Sequence, residues 1–246
     1  MGERDVQGTA FVAGATGYSG RALVPELLRA GFQTIAHIRP DSPRRREDQV
    51  TFEGLGARVD TTPWDGAAME RTLTETRPSH VFSLLGTTRS RTRRALREGR
   101  DESYEAVDYG LSVLLIRAAV ASGTSPHFVY LSSVGVREGT SSAYLAARHR
   151  VESELRASGL PFTIVRPSFI AGDREERRVA ERLASTIADG VLSGVALLGG
   201  RTLRDRYASM TGSTLARYLV RAVRDPKSRG AVLEGGDLRA YGGPLD

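Results

Sequence analysis

Short apolar runs alternate along most of this chain with stretches whose apolar residues recur at helical spacing. Phe11 to Ala13, Thr34 to Ile38, a short piece near Ala57 to Val59, Val81 to Leu85, His127 to Leu131 and Phe162 to Val165 predict buried strands. Leu23, Leu27 and Leu28 predict a helix over residues 21–30, and Val107, Leu111, Leu114 and Ala118 a second. A third carries Ala147, Val151 and Leu155 and is closed by Gly159 and Pro161. This alternation predicts an α/β fold, a parallel sheet with crossover helices. Beyond Arg166 the pattern loosens into a charged helix around Glu175 to Ile187, a Gly-rich stretch, and a helix near Thr214 to Val223. That tail, residues 168–246 or so, is expected to form a small lobe over the carboxyl ends of the strands, where open α/β sheets bind ligands. Without repeats or a linker, the 246 residues read as one domain.

The first strand runs straight into Gly14-Ala-Thr16-Gly17-Tyr18-Ser19-Gly20 and then a helix. Gly14 permits the tight turn out of the strand. Gly17 lets backbone approach a pyrophosphate, and Gly20 lets the helix pack closely on the sheet. The unpaired N–H groups and positive dipole end of that helix then face the phosphates. A glycine triplet alone is weak, since any strand-to-helix turn uses glycine; the strand before it and the helix after it make this a dinucleotide site.

Composition narrows the chemistry. There is no cysteine, so disulfides, thiolate metal sites and a Cys nucleophile are excluded. The four histidines are scattered and predict no metal site. No apolar run approaches a membrane span, and residues 1–8 lack an apolar targeting core, so a cytoplasmic protein is expected. The net charge of +6 favours anionic partners. Arginines 44–46, and Arg89, Arg91, Arg93, Arg94, Arg97 and Arg100, form two clusters without interleaved aromatics, so nucleic acid is not the expected partner. Solvated loops are the plain reading of both, and phosphate or carboxylate binding at a cofactor mouth the sharper one.

At the end of the second strand, an NAD enzyme would carry a ribose-binding carboxylate. Here the run is His37-Ile-Arg39-Pro40, with no acid until Asp41. Arg39 falls where a guanidinium can meet a 2′-phosphate, which predicts NADP; the plain alternative is a surface arginine. Asp60 is a candidate acceptor for the adenine amino group, or a turn residue. Leu85-Gly86-Thr87 places a glycine and hydroxyls after the fourth strand, where backbone passes close to a cofactor. The fifth strand ends in Ser132-Ser133, and Tyr144-Leu-Ala-Ala-Arg148 follows eleven residues after Ser133. One helical turn separates Tyr144 from Arg148, on the same face. Serine, phenol and cation make the proton-delivery set of a carbonyl reductase: the phenol protonates the developing alkoxide, the serine holds the carbonyl oxygen, and the cation favours phenolate and grips the ribose.

These motifs resemble the atypical, NAD(P)H-binding short-chain dehydrogenase/reductases, and most closely the group related to the human Tat-interacting protein. Leu85-Gly-Thr-Thr-Arg89, Val107-Asp108, Leu131-Ser-Ser133, Tyr144-Leu145, Arg166-Pro167 and Gly172-Asp-Arg-Glu-Glu-Arg177 fall in that group's order. The resemblance spans residues 9–185 or so and implies a Rossmann doubly wound sheet and NADPH binding, with Pro167 at the cofactor and Ser133, Tyr144 and Arg148 in the catalytic positions. The family's Tyr-x-x-x-Lys stands here as Tyr144-x-x-x-Arg148, and Asp108 replaces the asparagine many relatives carry. A cation about 5 Å from a phenolate at an effective dielectric of about 20 stabilises it by about 3 kcal/mol whichever residue carries it. Arginine's planar fork cannot copy a point-like ammonium at the ribose hydroxyls.

The expectation is an NADP(H)-dependent oxidoreductase reducing a small carbonyl or quinone-like molecule, with an anionic substrate in keeping with the basic charge. A cofactor-sensing binding protein that has lost turnover, and a nucleotide-sugar epimerase or dehydratase, remain the alternatives.

Overall fold

A computed structural model describes residues 7–87, 89–99, 101–168, 170–171 and 210–241. It begins β1 (Thr9–Ala13), α1 (Tyr18–Arg29), β2 (Gln33–His37), α2 (Arg45–Gly54), β3 (Arg58–Asp60), α3 (Gly66–Thr76), β4 (His80–Ser83) and α4 (Arg89–Arg97). A π-helical segment (Tyr104–Leu111) runs into α5 (Ser112–Ala121), followed by β5 (His127–Leu131), α6 (Ala143–Ala157), β6 (Phe162–Arg166), β7 (Ile170–Ala171) and β8 (Met210–Thr211). Then come α7 (Gly212–Arg224), a 3-10 turn (Pro226–Ser228), β9 (Ala231–Glu234) and α8 (Gly235–Ala240).

Among the described residues, seven strands form one sheet in the order β3-β2-β1-β4-β5-β6-β9, every pair parallel. This is the doubly wound Rossmann arrangement. The short strands β7 and β8 pair separately. Both faces of the main sheet are covered, which is why its strands are apolar runs without polar alternation. Along β1, Ala10 and Val12 enter one core with Leu23, Leu27, Leu215 and Leu219, while Phe11 and Ala13 enter the other with Leu73, Leu115 and Leu155. Strand order reverses between β1 and β4, so a crevice opens at their carboxyl ends. The glycine turn, the loop after β4 and the end of β5 all meet there.

The C-terminal tail departs from expectation. Residues 172–209, including the expected charged helix, the Gly-rich stretch and Gly172–Arg177, lie outside the described residues. Residues 212–240 do not form a separate lobe: α7 packs on α1, and β9 extends the main sheet beside β6. The tail's short strand escaped the pattern because Ala231 to Glu234 is only four residues long and sits, mostly half-buried, at a sheet edge. The helix predicted around Val107 to Ala118 is two elements, since the first part winds as a π-helix before α5 begins. Arg89 to Arg97 forms a helix where only a charge cluster was legible.

Candidate active site

The glycine turn has the shape its sequence requires. Gly14 has φ +85°, and a Cβ there would lie 2.7 Å from the Leu84 carbonyl oxygen. A Cβ on Gly20 would overlap the Gly14 carbonyl and come 2.6 Å from the Ala15 Cα. On Gly17, by contrast, a Cβ would meet only the Gly14 oxygen at 3.3 Å, so this backbone opens outward. Gly17 caps α1 without a side-chain hydrogen bond, and the first turn contains no acid. That is the electrostatic setting an anion requires. Arg21 ties the loop down by donating to the Thr16 carbonyl at 3.0 Å and to the buried Asp48 carboxylate at 2.5 Å. Half-exposed Tyr18 leans toward α7, where its hydroxyl accepts the Gly212 N–H at 3.2 Å; Ser19 lies beside it, partly buried.

Across the crevice, Leu85 and Thr87 are buried, and the Thr87 hydroxyl has no hydrogen-bond partner among the described residues. An outward-opening glycine cradle, a helix N-terminus without a side-chain cap and an orphaned hydroxyl on the facing loop fit a dinucleotide.

The serine pair at the end of β5 divides its labour. Ser132 is buried and donates to Glu152 Oε1 at 2.6 Å. Ser133 is only partly buried, with its hydroxyl on the Val134 carbonyl at 3.3 Å, and is the one available to a ligand. Tyr144 stands in the first turn of α6, which Ser142 caps through the Leu145 N–H. Its ring lies 5.3 Å from that of Tyr104. One turn on, the Arg148 guanidinium carbon is 4.7 Å from the centre of the Tyr144 ring.

Both terminal nitrogens of Arg148 have partners within the chain. The side chain is buried, donating through one terminal nitrogen to the Leu131 carbonyl and through the other to Asp108 Oδ1 at 2.9 Å. Asp108 is fully buried, and its other oxygen accepts the Thr87 N–H at 2.9 Å. Gly86 lies over the pair; a Cβ there would stand 2.8 Å from the guanidinium. Burial pushes the Asp108 carboxyl up against the pull of Arg148 and the Thr87 N–H. Burial opposes charge on Arg148 as well, but Tyr144, Tyr130 and Asp108 together outweigh it and raise its pKa. The two departures from the family pattern are therefore one feature: arginine for lysine and aspartate for asparagine form a buried ion pair. Asp108 sits in the π-helix, and such wide turns concentrate at functional sites.

Two of the cofactor candidates also have partners within the chain. Asp60 holds the turn after β3, its two oxygens accepting from the Thr62 N–H at 3.2 Å and the Thr62 hydroxyl at 2.9 Å. The turn role is present, and the adenine role stays a proposal. Arg39 is at the end of β2 as expected, but it lies between carboxylates, 3.3 Å from Glu102 and 3.5 Å from Asp41. Pro167 is buried at the end of β6, and its carbonyl accepts the Val134 N–H at 3.0 Å.

A network escaped sequence reasoning altogether. Buried Glu152 accepts from Ser132, from Arg166 at 2.6 and 2.8 Å and from Arg156 at 3.0 Å, while Arg166 also donates to Glu234 at 2.6 Å. Burial pushes Glu152 up, but the donors from Arg166 and Ser132 win and hold it below the usual carboxylate range. The network lashes β5, α6, β6 and β9 together under the Ser133 loop. Its only advance signal was a Glu on the apolar face of the Ala147–Val151–Leu155 helix.

Residues 14–194 match the NAD(P)H-binding family. Protein fmp52, mitochondrial, of Aspergillus fumigatus is 32% identical over 248 residues, covering 94% of this chain and 96% of that protein. Among solved structures, the triphenylmethane reductase of Citrobacter sp. complexed with NADP(H) superposes with TM-score 0.58 at 15% identity, covering 92% of this chain and 68% of that one. UDP-N-acetylglucosamine 4-epimerase from Bacillus cereus gives TM-score 0.57 at 14% identity, covering 92% and 76%. The names of the relatives also overturn one expectation: the fmp52 proteins are designated mitochondrial, so the cytoplasmic assignment does not stand. The absence of an apolar targeting core was the wrong guide, because it excludes one kind of leader and not other routes to an organelle.

Proposed function

The chain belongs to the NAD(P)H-binding family, and from that premise we propose that it is an NADP(H)-dependent oxidoreductase reducing a small carbonyl or quinone-like substrate. The observation that carries this reading is the buried Arg148 guanidinium beside Tyr144, 4.7 Å from the ring centre. A phenol on the crevice wall beside a fixed cation is a proton donor whose anion is stabilised as it forms.

Gly14, Gly17, Gly20 and the N-terminus of α1 would hold the pyrophosphate, Leu85, Gly86 and Thr87 would border the nicotinamide half, and Arg39 would meet the 2′-phosphate. The bound nicotinamide supplies the hydride. Ser133 hydrogen-bonds the substrate oxygen, and Tyr144 delivers a proton to that oxygen as negative charge gathers on it. Arg148 stabilises the phenolate left behind, and Asp108 with the Leu131 carbonyl fixes the guanidinium in place. Arg148 thus acts on Tyr144 rather than on the ribose, and the asymmetry favours reduction, which starts from neutral phenol.

A second reading is favoured by the same geometry. Both terminal nitrogens of Arg148 are bonded to protein, so the ribose contact expected of a cation here is weakened, as in a protein that binds cofactor without turnover. Screening purified protein with NADPH against carbonyls and quinones, by loss of reduced-nicotinamide absorbance, separates the two. Sustained loss with any member supports the reductase. Tight NADPH binding with no turnover across the panel supports the sensor.

A further inference from the structure

We propose that Glu102 is a specificity-determining residue of the cofactor site, competing with the 2′-phosphate for Arg39. This rests on the placement of Arg39 at the adenosine end of the bound dinucleotide. The chain carries no carboxylate at the end of β2 before Asp41, yet the fold delivers one from the segment leading into the π-helix. Glu102 Oε1 lies 3.3 Å from Arg39 Nη1, with the Glu102 side chain 6% exposed and that of Arg39 30% exposed. Asp41 also touches Arg39, at 3.5 Å, but its side chain is 68% exposed and screened by water. Of the two carboxylates on Arg39, Glu102 is therefore the one less screened by solvent.

The backbone holds Glu102 where it is. Its carbonyl accepts the Thr92 hydroxyl of α4 at 2.8 Å, and the next residue, Ser103, caps the π-helix through the Ala106 N–H. A 2′-phosphate arriving at Arg39 brings nearly two negative charges beside a carboxylate that cannot easily retreat. A 2′-hydroxyl, by contrast, can donate a hydrogen bond to that carboxylate, the role an acid at this strand end performs for NAD. Glu102 thus acts against NADP and for NAD, while Arg39 acts the other way. Specificity here is the difference between an attractive and a repulsive element built into one pair.

The test is calorimetric titration of NADPH and NADH into the parent, Glu102→Gln, Arg39→Ala, the double variant and Asp41→Asn, each checked for native circular dichroism. Glu102→Gln should raise the NADPH-to-NADH affinity ratio at least tenfold, Asp41→Asn less than threefold, and Glu102→Gln should raise the ratio by a smaller factor once Arg39 is Ala, because the competition for Arg39 is then gone and only the direct action on the ligand remains. If Glu102→Gln does not fold, Glu102→Asp, which draws the carboxylate back from Arg39, should raise the ratio in the same direction by a smaller factor. An unchanged ratio in the Glu102 variant, with a ratio that falls in Arg39→Ala, overturns the role of Glu102 and leaves Arg39 in place. A ratio that neither variant moves overturns the placement of Arg39 itself, and with it this inference.

Discussion

Replacing Asp108 with asparagine removes one charge from the buried pair while keeping the side chain's shape. Asp108 is fully buried and Arg148 nearly so, and the two meet at 2.9 Å. In the variant the guanidinium stays buried without its counter-ion, held by the Leu131 carbonyl and an amide oxygen. Breaking a buried pair from one side costs about 3–5 kcal/mol, because the surviving charge is left uncompensated. The amide preserves part of the hydrogen bonding, so the lower end, about 3 kcal/mol, is expected. For a chain of this size that is a fall in Tm of about 6–12 °C. Arg148→Met alone should cost a similar amount by stranding the carboxylate, whereas the double variant Asp108→Asn/Arg148→Met should recover most of the loss. Urea unfolding followed by circular dichroism, on all four proteins, gives the coupling energy directly. A coupling of about 2 kcal/mol or more is expected. Losses that add within about 0.5 kcal/mol, or an Asp108→Asn protein as stable as the parent, would refute the pair as a structural unit.

Gly17→Val should abolish NADPH binding in a folded protein, since a Cβ there meets only the Gly14 oxygen at 3.3 Å within the chain but occupies the space assigned to pyrophosphate; unchanged affinity by calorimetry would contradict the cradle. Acid should destabilise the fold through His127, whose pKa burial lowers from its ordinary 6.5 to about 4, with His80 and Arg229 adding to the effect. Because the unfolded chain takes up that proton first, the contribution is complete above about pH 6.5 and is lost as pH falls toward 4, by at most about 3 kcal/mol. His127→Gln should flatten that part of the urea-midpoint profile, and an unaltered slope between those pH values would assign the acid sensitivity elsewhere.

Elements whose pattern is local were legible in the chain, and those made by distant partners were not. Phe11 to Ala13 followed by three spaced glycines could be read because strand, turn and helix are contiguous and each residue's backbone demand is its own. The Asp108–Arg148 pair could not, since its members stand 40 residues apart and only the fold brings them together. Read singly, each looked like a defect in a family motif; joined, they form one buried unit. Glu102 was hidden for the same reason, 63 positions from the arginine it meets. Asp60 was legible as a turn residue, the alternative to its cofactor role, because its partner Thr62 stands only two residues on. The strand Ala231 to Glu234 was missed because it is only four residues long and lies, mostly half-buried, at the sheet edge.

The central claim is that Tyr144 gives up a proton during reduction at a bound nicotinamide. Its most direct test is Tyr144→Phe, which deletes one oxygen beside Arg148 and leaves the glycine cradle untouched. With a substrate identified from the carbonyl and quinone panel, NADPH affinity and the rate of NADPH consumption are measured on the same preparations of parent and variant. Affinity should change less than about threefold, about 0.7 kcal/mol, while the rate falls by about a hundred- to ten-thousandfold, the range for a positioned acid. A Tyr144→Phe protein that consumes NADPH as fast as the parent would contradict the proposed mechanism.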